Sequence, residues 1–102
     1  MADVNLTEGD VIAVPAAATP QVVVSPNAGQ TGYRGTLVNK GTKTVYFGWN
    51  SATVVTDKAA GAHKGWADAG EAIRIPQQAR TFACSCAGAE TSTLLYIGDG
   101  GV

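Results

Sequence analysis

Two cysteines and one histidine are the residues of this chain that most invite a chemical role. Cys84 and Cys86 are separated by one residue, and His63 is the only imidazole. In a strand, residues two apart point to the same face about 6–7 Å from each other, which is a poor geometry for a disulfide between them. We therefore predict that both cysteines are small apolar core residues, as free cysteine commonly is.

The sequence predicts neither a metal centre nor a nucleophilic site. A zinc site needs several His or Cys ligands, and only His63 and dispersed carboxylates accompany the two cysteines. No nucleophile elbow of the form Gly-x-Ser-x-Gly is present. The carboxylates lie mostly at predicted turns, where acidic residues are ordinary: Asp57, Asp68, Glu71, Glu90 and Asp99. We expect no enzyme activity, no cofactor and no bound metal.

The charge balance argues against partners that are recognised at long range. The 102 residues carry seven basic and eight acidic side chains, and charged residues make up 15% of the chain, below the roughly 25% of typical domains. The basic stripe that nucleic-acid binding requires is missing. There is no apolar run near the roughly 20 residues of a membrane helix, and residues 1–5 do not begin a secretion signal. We expect no nucleic acid, no membrane, synthesis in the cytoplasm and little charge repulsion against self-association.

Apolar and polar residues alternate with a period of two in several segments, which predicts half-buried strands. Val45, Phe47 and Trp49 share one face of such a segment, and Phe82 shares a face with both cysteines in another. No long window keeps a helical period. The sequence predicts an all-β fold with essentially no helix, a β-sandwich or jelly-roll-like barrel of about eight short antiparallel strands. The predicted strands are residues 10–14, 21–25, 32–39, 44–49, 51–56, 71–75, 80–86 and 92–97.

Two segments stand apart from the strands. Residues 15–20 are bracketed by prolines, which favours an extended connector. We therefore divide the chain into an N-terminal strand or arm with its connector, residues 1–20, and a β-sandwich domain, residues 21–102. The N-terminus is either an edge strand or an arm that reaches a neighbour. Residues 57–68 are the longest break and predict an exposed loop, whereas Asn39-Lys40-Gly41 predicts the turn of a hairpin.

The aromatic residues give the clearest indication of a contact surface. Phe47 and Phe82 are predicted to lie in the core, and Trp49 in the core or at its rim. Trp66 lies in the long predicted loop, where an exposed tryptophan either marks a protein contact or stacks on a sugar. Two tryptophans side by side on one surface would favour carbohydrate binding.

Residues 35–48, GTLVNKGTKTVYFG, resemble small virion proteins of tailed bacteriophages. In that family a strand of the form v-x-N-x-G-x-x-x-V-y-l-G leads into G-x-x-L-x-A-G-E-s-l-x-l, here GWADAGEAIRI at residues 65–75. Residues 82–88 and 94–97 match the strands that follow, so the likeness covers about residues 35–97. The cysteines stand where the family has small residues, and Trp66 and His63 have no counterpart in the pattern.

The resemblance implies a structural virion protein that decorates or cements the capsid. It implies contacts with the major capsid protein or other virion proteins, commonly as a homotrimer, and localisation in the virion. The alternatives are a receptor- or carbohydrate-binding β-sandwich of a tail fibre, and a head–tail connector or other assembly component. The predicted contact residues come from the N-terminal arm, the loop around Trp66 and one further segment: Val4, Leu6, Val11, Ile12, Tyr33, Arg34, His63 and Trp66.

Overall fold

The computed structural model describes residues 9–24, 35–57, 65–76 and 79–98. These ranges contain strands and turns, with no helix that could cross a membrane, and the all-β prediction is confirmed. The strands are β1 (Val11–Val14), β2 (Gln21–Val24), β3 (Gly35–Asn39), β4 (Val45–Trp49), β5 (Gly65–Ala67), β6 (Ala72–Arg74), β7 (Thr81–Ser85) and β8 (Ser92–Gly98).

The strands pair as if one long antiparallel ribbon had been folded over on itself. β1 pairs with β8, β2 with β7, β3 with β6, and β4 with β5. Two more ladders, β3–β8 and β4–β7, join these pairs into four-stranded sheets. The first sheet has the order β1-β8-β3-β6 and the second β2-β7-β4-β5. Eight antiparallel strands nested in this way across two sheets form a jelly roll.

The core lies between the two sheets and is built from every second residue of each strand. Its largest members are aromatic: the rings of Phe47 and Trp49 stack with centroids 5.0 Å apart, and Trp49 meets Phe82 at 5.1 Å. Such pairs each contribute about 0.5–1.5 kcal/mol beyond the area that they bury. Cys84 and Cys86 are free thiols inside the same cluster, as predicted.

The edge strand β1 belongs to this core. Ile12 and Val14 are buried against the rest of the sandwich, while the alternate residues of β1 face outward. Of the two forms predicted for the N-terminus, residues 11–14 therefore adopt the edge strand. The Pro-bracketed residues 15–20 carry the chain from the first sheet to the second. They contain a turn, in which Thr19 N–H donates to the Ala16 carbonyl at 3.3 Å, and so are not extended throughout.

Three local predictions were wrong. Residues 51–56 do not form a strand; they cross the outer face of β4 at Gly48, where the carbonyl of Thr53 leaves no space for a Cβ atom. The predicted loop contains the edge strand β5, whose three residues are too few to show a period of two. Asn39-Lys40-Gly41 does not turn a hairpin, because β3 and β4 belong to different sheets.

Candidate interaction surfaces

Asn39 is a buried polar residue that ties four segments together. Its amide nitrogen donates to the carbonyl of Lys43 at 2.6 Å and to that of Ala67 at 2.9 Å. Its amide oxygen accepts from the Gly41 backbone N–H at 3.0 Å and from the Ser92 hydroxyl at 2.7 Å. We call Asn39 and these four partners the Asn39 hub. Because every polar atom of the side chain is paired, burial of the amide carries little desolvation cost.

The turn between β5 and β6 is attached to the Asn39 hub. Gly70 N–H donates to the Asn39 carbonyl at 3.0 Å, and Asn39 N–H donates to the Glu71 carbonyl at 2.8 Å. Within the turn, Glu71 N–H donates to the Asp68 carbonyl, and the Glu71 carboxylate accepts from Asp68 N–H. The Thr44 hydroxyl donates to Asp68 at 2.7 Å. These two carboxylates therefore hold the turn. Four residues of the quoted motifs take part in the hub or this turn: Asn39, Gly41, Gly70 and Glu71.

Glu90 also has a structural partner, since its carboxylate lies 3.5 Å from Lys43 in a half-exposed ion pair. Such a pair contributes about 0–1 kcal/mol. Within the described ranges, no three His, Cys, Asp or Glu side chains cluster as metal ligands would. His63 and Asp99 lie outside the described residues.

The two thiols are held in their neutral form. Burial, together with a smaller contribution from the neighbouring Cys86 thiol, raises the pKa of Cys84 to about 12. Burial also raises the pKa of Cys86, with an added contribution from the Glu90 carboxylate. A nucleophilic cysteine needs the opposite shift and an accessible thiol. Both cysteines are therefore apolar packing groups in the folded chain.

Folding stability is expected to fall as the pH rises above about 9. Below this value both folded and unfolded chains keep the Cys84 proton; above it the unfolded chain loses the proton near its ordinary pKa of 9.0, whereas the folded chain retains it up to about 12. Each such thiol removes about 1.4 kcal/mol of stability per pH unit in this window. Urea unfolding of the wild type and of Cys84→Ala, measured between pH 8 and about 10.5, should show a shallower decline in the variant. Equal slopes would contradict the assignment.

A small cavity of about 120 Å³ opens at the end of β4. It is below the roughly 300–1,000 Å³ of typical ligand sites. The Ser51 and Thr53 hydroxyls at its rim bond to each other at 3.0 Å, so they do not form a ready polar clamp for a ligand. The cavity is lined by Phe47, Gly48, Trp49, Ser51, Thr53 and Val55.

The two tryptophans lie on opposite faces of the second sheet. Trp49 points inward and packs against the core. Trp66 pairs across the ladder with Tyr46, which places it on the outer face, where 41% of its surface is exposed. The side-by-side pair that would favour sugar stacking is therefore not formed.

On the outer face of the second sheet, two residues of the inner strand β7 are covered. Ala83 and Ser85 point outward by alternation, yet both are fully buried. Ala83 pairs with Val22 on one side and with Gly48 on the other, and residues 51–55 run over Gly48. The Ser85 hydroxyl has no hydrogen-bond partner within the described part of the chain.

The outer face of the first sheet presents an apolar row that crosses all four strands. Val11 pairs with Leu95, Leu95 with Val38, and Val38 with Ala72. Val11 is 63% exposed, and the next outward residue of β8, Ile97, is 46% exposed. We call these five residues the apolar row. Contiguous apolar surface of this kind commonly marks a contact with another macromolecule.

The structure separates the predicted contact residues from one another. Val11 is exposed on the first sheet, and Trp66 lies on the outer face of the second. Ile12 is only 4% exposed and packs in the core, so its side chain does not reach the surface of the single chain. Outside the described residues are Val4, Leu6, Tyr33, Arg34 and His63.

Most of the apolar row was missed by sequence reasoning. Val38 and Leu95 lie in predicted strands, but the sequence pattern assigns neither of them to an outer face. Their alignment with Val11 and Ala72 depends on a register between distant strands, which a single sequence does not reveal.

No family model, curated protein or solved structure matches this chain. The described residues define its class as an all-β jelly roll with an apolar row on the outer face of the first sheet.

Proposed function

We propose that the chain is a structural virion protein of a tailed bacteriophage, which decorates or cements the capsid through repeated protein–protein contacts. The observation that carries this proposal is the apolar row. It lies on a sheet and not on loops. Among the four strands of this first sheet, Arg74 of β6 is the only charged residue. A surface of this character suits a broad, flat contact better than it suits a small ligand.

The resemblance of residues 35–97 to phage virion proteins supports the same proposal. The quoted motif residues Asn39, Gly41, Gly70 and Glu71 all take part in the Asn39 hub or the turn attached to it. A motif whose residues hold a framework together is typical of a structural family, because its members share a scaffold and not a reaction. The expected partners are the major capsid protein or other virion proteins.

A decorating protein does not need one strong site. When many identical copies are linked by symmetry, modest contacts sum to a high avidity. A near-neutral chain with a net charge of −1 also presents little electrostatic repulsion to neighbouring copies. Such a role is consistent with a fold in which Asp68, Glu71 and Glu90 have structural partners and an apolar row lies on the outer face of a sheet.

Binding of the purified chain to expanded phage capsids that lack it tests the proposal. We expect the chain to co-sediment with the capsids at a saturating stoichiometry, and to be present in purified virions by mass spectrometry. Ile97→Lys, which places a charge in the apolar row, should weaken capsid binding by about tenfold or more.

Val55→Lys is the matched control, since Val55 is 42% exposed and lies outside both sheets. It should bind like the wild type. Absence of the chain from virions together with a lack of capsid binding would overturn the proposal. Binding to a glycan array or to an isolated head–tail connector would instead favour the corresponding alternative.

A further inference from the structure

β1 lies at an edge of the first sheet, and no other described strand pairs with its outer side. In an antiparallel ladder, every second residue directs its N–H and C=O to the neighbouring strand. Tyr96 N–H donates to the Asp10 carbonyl at 2.9 Å, which places Asp10 among the residues that bond to β8. By alternation along the register of β1, Val11 and Ala13 direct their backbone groups away from β8.

Residues 11–14 themselves lack charges and prolines, two of the features that usually protect an edge strand. A bulge precedes them, where the Gly9 N–H and the Asp10 carbonyl both bond to Tyr96. Proteins cover or block such edges with charged residues, prolines, bulges or very short strands. β1 has four residues, Val-Ile-Ala-Val, with no charge and no proline. At the opposite side of the sandwich, β5 and β6 are only three residues long and contact one another. The remaining edge strand is β2. Its residues Gln21 and Val24 each have a further interaction, so this edge is not treated as open.

We propose that the β1 edge pairs with β1 of a second copy of this chain, in an antiparallel ladder with two-fold symmetry. Ile12 of each copy faces Ile12 of the other, and Val11 faces Ala13. In this register directly opposite residues point to the same side of the sheet, and Val11 and Ala13, whose backbone groups point away from β8, form the hydrogen-bonded pairs. The first sheet of one copy, β1-β8-β3-β6, and the first sheet of the other then become one continuous sheet.

A second copy fits this edge better than an unrelated strand for two reasons. A two-fold axis makes any edge complementary to itself, so that each free donor of one copy meets a free acceptor of the other. The pairing also sets the larger Val11 against the smaller Ala13, and it brings the apolar rows of the two copies side by side. No charge on β1 opposes the approach.

The inference does not depend on the virion role, although a dimer formed in this way would be a building block for it. It predicts a two-fold dimer, where the family resemblance implies a trimer. Light scattering on the eluate of a sizing column, at two protein concentrations, distinguishes these states. We expect a dimer that dissociates on dilution.

Val11→Lys is expected to weaken dimerisation by tenfold or more, because a charged side chain at the edge must then be placed against the second copy. Val11 is 63% exposed, so the substitution should leave the fold intact, as circular dichroism would verify. Val55→Lys, at an exposed residue outside both sheets, should dimerise like the wild type.

The register is tested by disulfide formation between two variants. Val11→Cys chains mixed with Ala13→Cys chains should cross-link under mild oxidation, whereas neither variant alone should do so efficiently, because directly opposite residues are close enough for a disulfide and diagonal ones are not. The native thiols are buried and should not compete.

A monomer, a trimer, or a dimer that is insensitive to Val11→Lys and fails to cross-link would overturn the inference. A chain that stays monomeric and still binds capsids would overturn the edge pairing and leave the structural role standing. A cross-linked dimer that is absent from virions would support the edge pairing and overturn the structural role.

Discussion

Replacement of Asn39 by alanine is expected to remove a large part of the stability of the sandwich. The substitution deletes the four hydrogen bonds of the Asn39 hub and leaves the buried carbonyl of Ala67 and the partly buried carbonyl of Lys43 without their donor. Each buried polar group left unpaired costs about 1–3 kcal/mol. We expect the free energy of unfolding, from urea denaturation followed by circular dichroism, to fall by about 3–5 kcal/mol. This is comparable to the low end of the total stability of a small domain, about 5–15 kcal/mol.

Ser92→Ala provides the matched control, because it removes only the hydroxyl that donates to the Asn39 amide oxygen. Its cost should be about 1 kcal/mol. In the double variant the two losses should not add, since the Ser92 hydroxyl has lost its acceptor once Asn39 is replaced. If Asn39→Ala lowered the free energy of unfolding no more than Ser92→Ala does, the hydrogen bonds of the Asn39 hub would not act together to hold these segments.

The second large effect is expected at Gly35, the first residue of β3. Its φ angle of +136° lies in a region that residues with a side chain rarely adopt, and a Cβ atom would overlap the carbonyl of Ile97 on the neighbouring strand. Because Ile97 contributes backbone here, no side-chain rotation relieves the overlap. Gly35→Ala should therefore lower the free energy of unfolding by about 3–5 kcal/mol, or separate the β3–β8 ladder at this end.

Gly70→Ala separates the two causes of this loss. Gly70 also has a positive φ angle, +81°, but a Cβ atom there would meet open space. Its substitution should cost about 1–2 kcal/mol from backbone strain alone. A similar loss at both positions would mean that the overlap with Ile97 is relieved by a small shift of β8. Hydrogen exchange at the Ile97 amide would detect that shift.

The strands that sequence reasoning recovered are those whose alternation is strong and local. β4 and β7 show the period of two clearly, and Phe47, Phe82 and both cysteines lie in the core as predicted. β5 was not predicted because it has only three residues, its tryptophan points outward, and its neighbours are mostly glycine and alanine. Residues 51–56 have the composition of a strand, but tertiary packing over Gly48 takes precedence over that local preference.

The candidate surfaces were less predictable than the strands because they depend on which strands become neighbours. Asn39 has the sequence context of a turn residue, and nothing local indicates that its amide reaches Ala67 and Ser92. The apolar row likewise requires the β1–β8 and β3–β8 registers together. Period-two patterns determine which residues share a face of one strand, while the order of strands in a sheet is decided by contacts between distant segments.

The nested pairing of the strands has a consequence for how the molecule forms. The innermost pair joins Val45 to Ala67 across a short stretch of chain, whereas the outermost joins Val11 to Leu95. Closing the outer pair carries the larger loss of chain entropy before any contact repays it, which is why topologies rich in distant pairings fold slowly.

During synthesis β1 therefore cannot pair until β8 has been made, and β8 leaves the ribosome long after β1. Throughout that interval the uncharged segment Val-Ile-Ala-Val has no partner strand within its own chain, and neighbouring nascent chains on the same message expose the same segment. The timing of translation, and not only the final energy of the fold, thus bears on whether each copy completes its own sheet or first meets the edge of another.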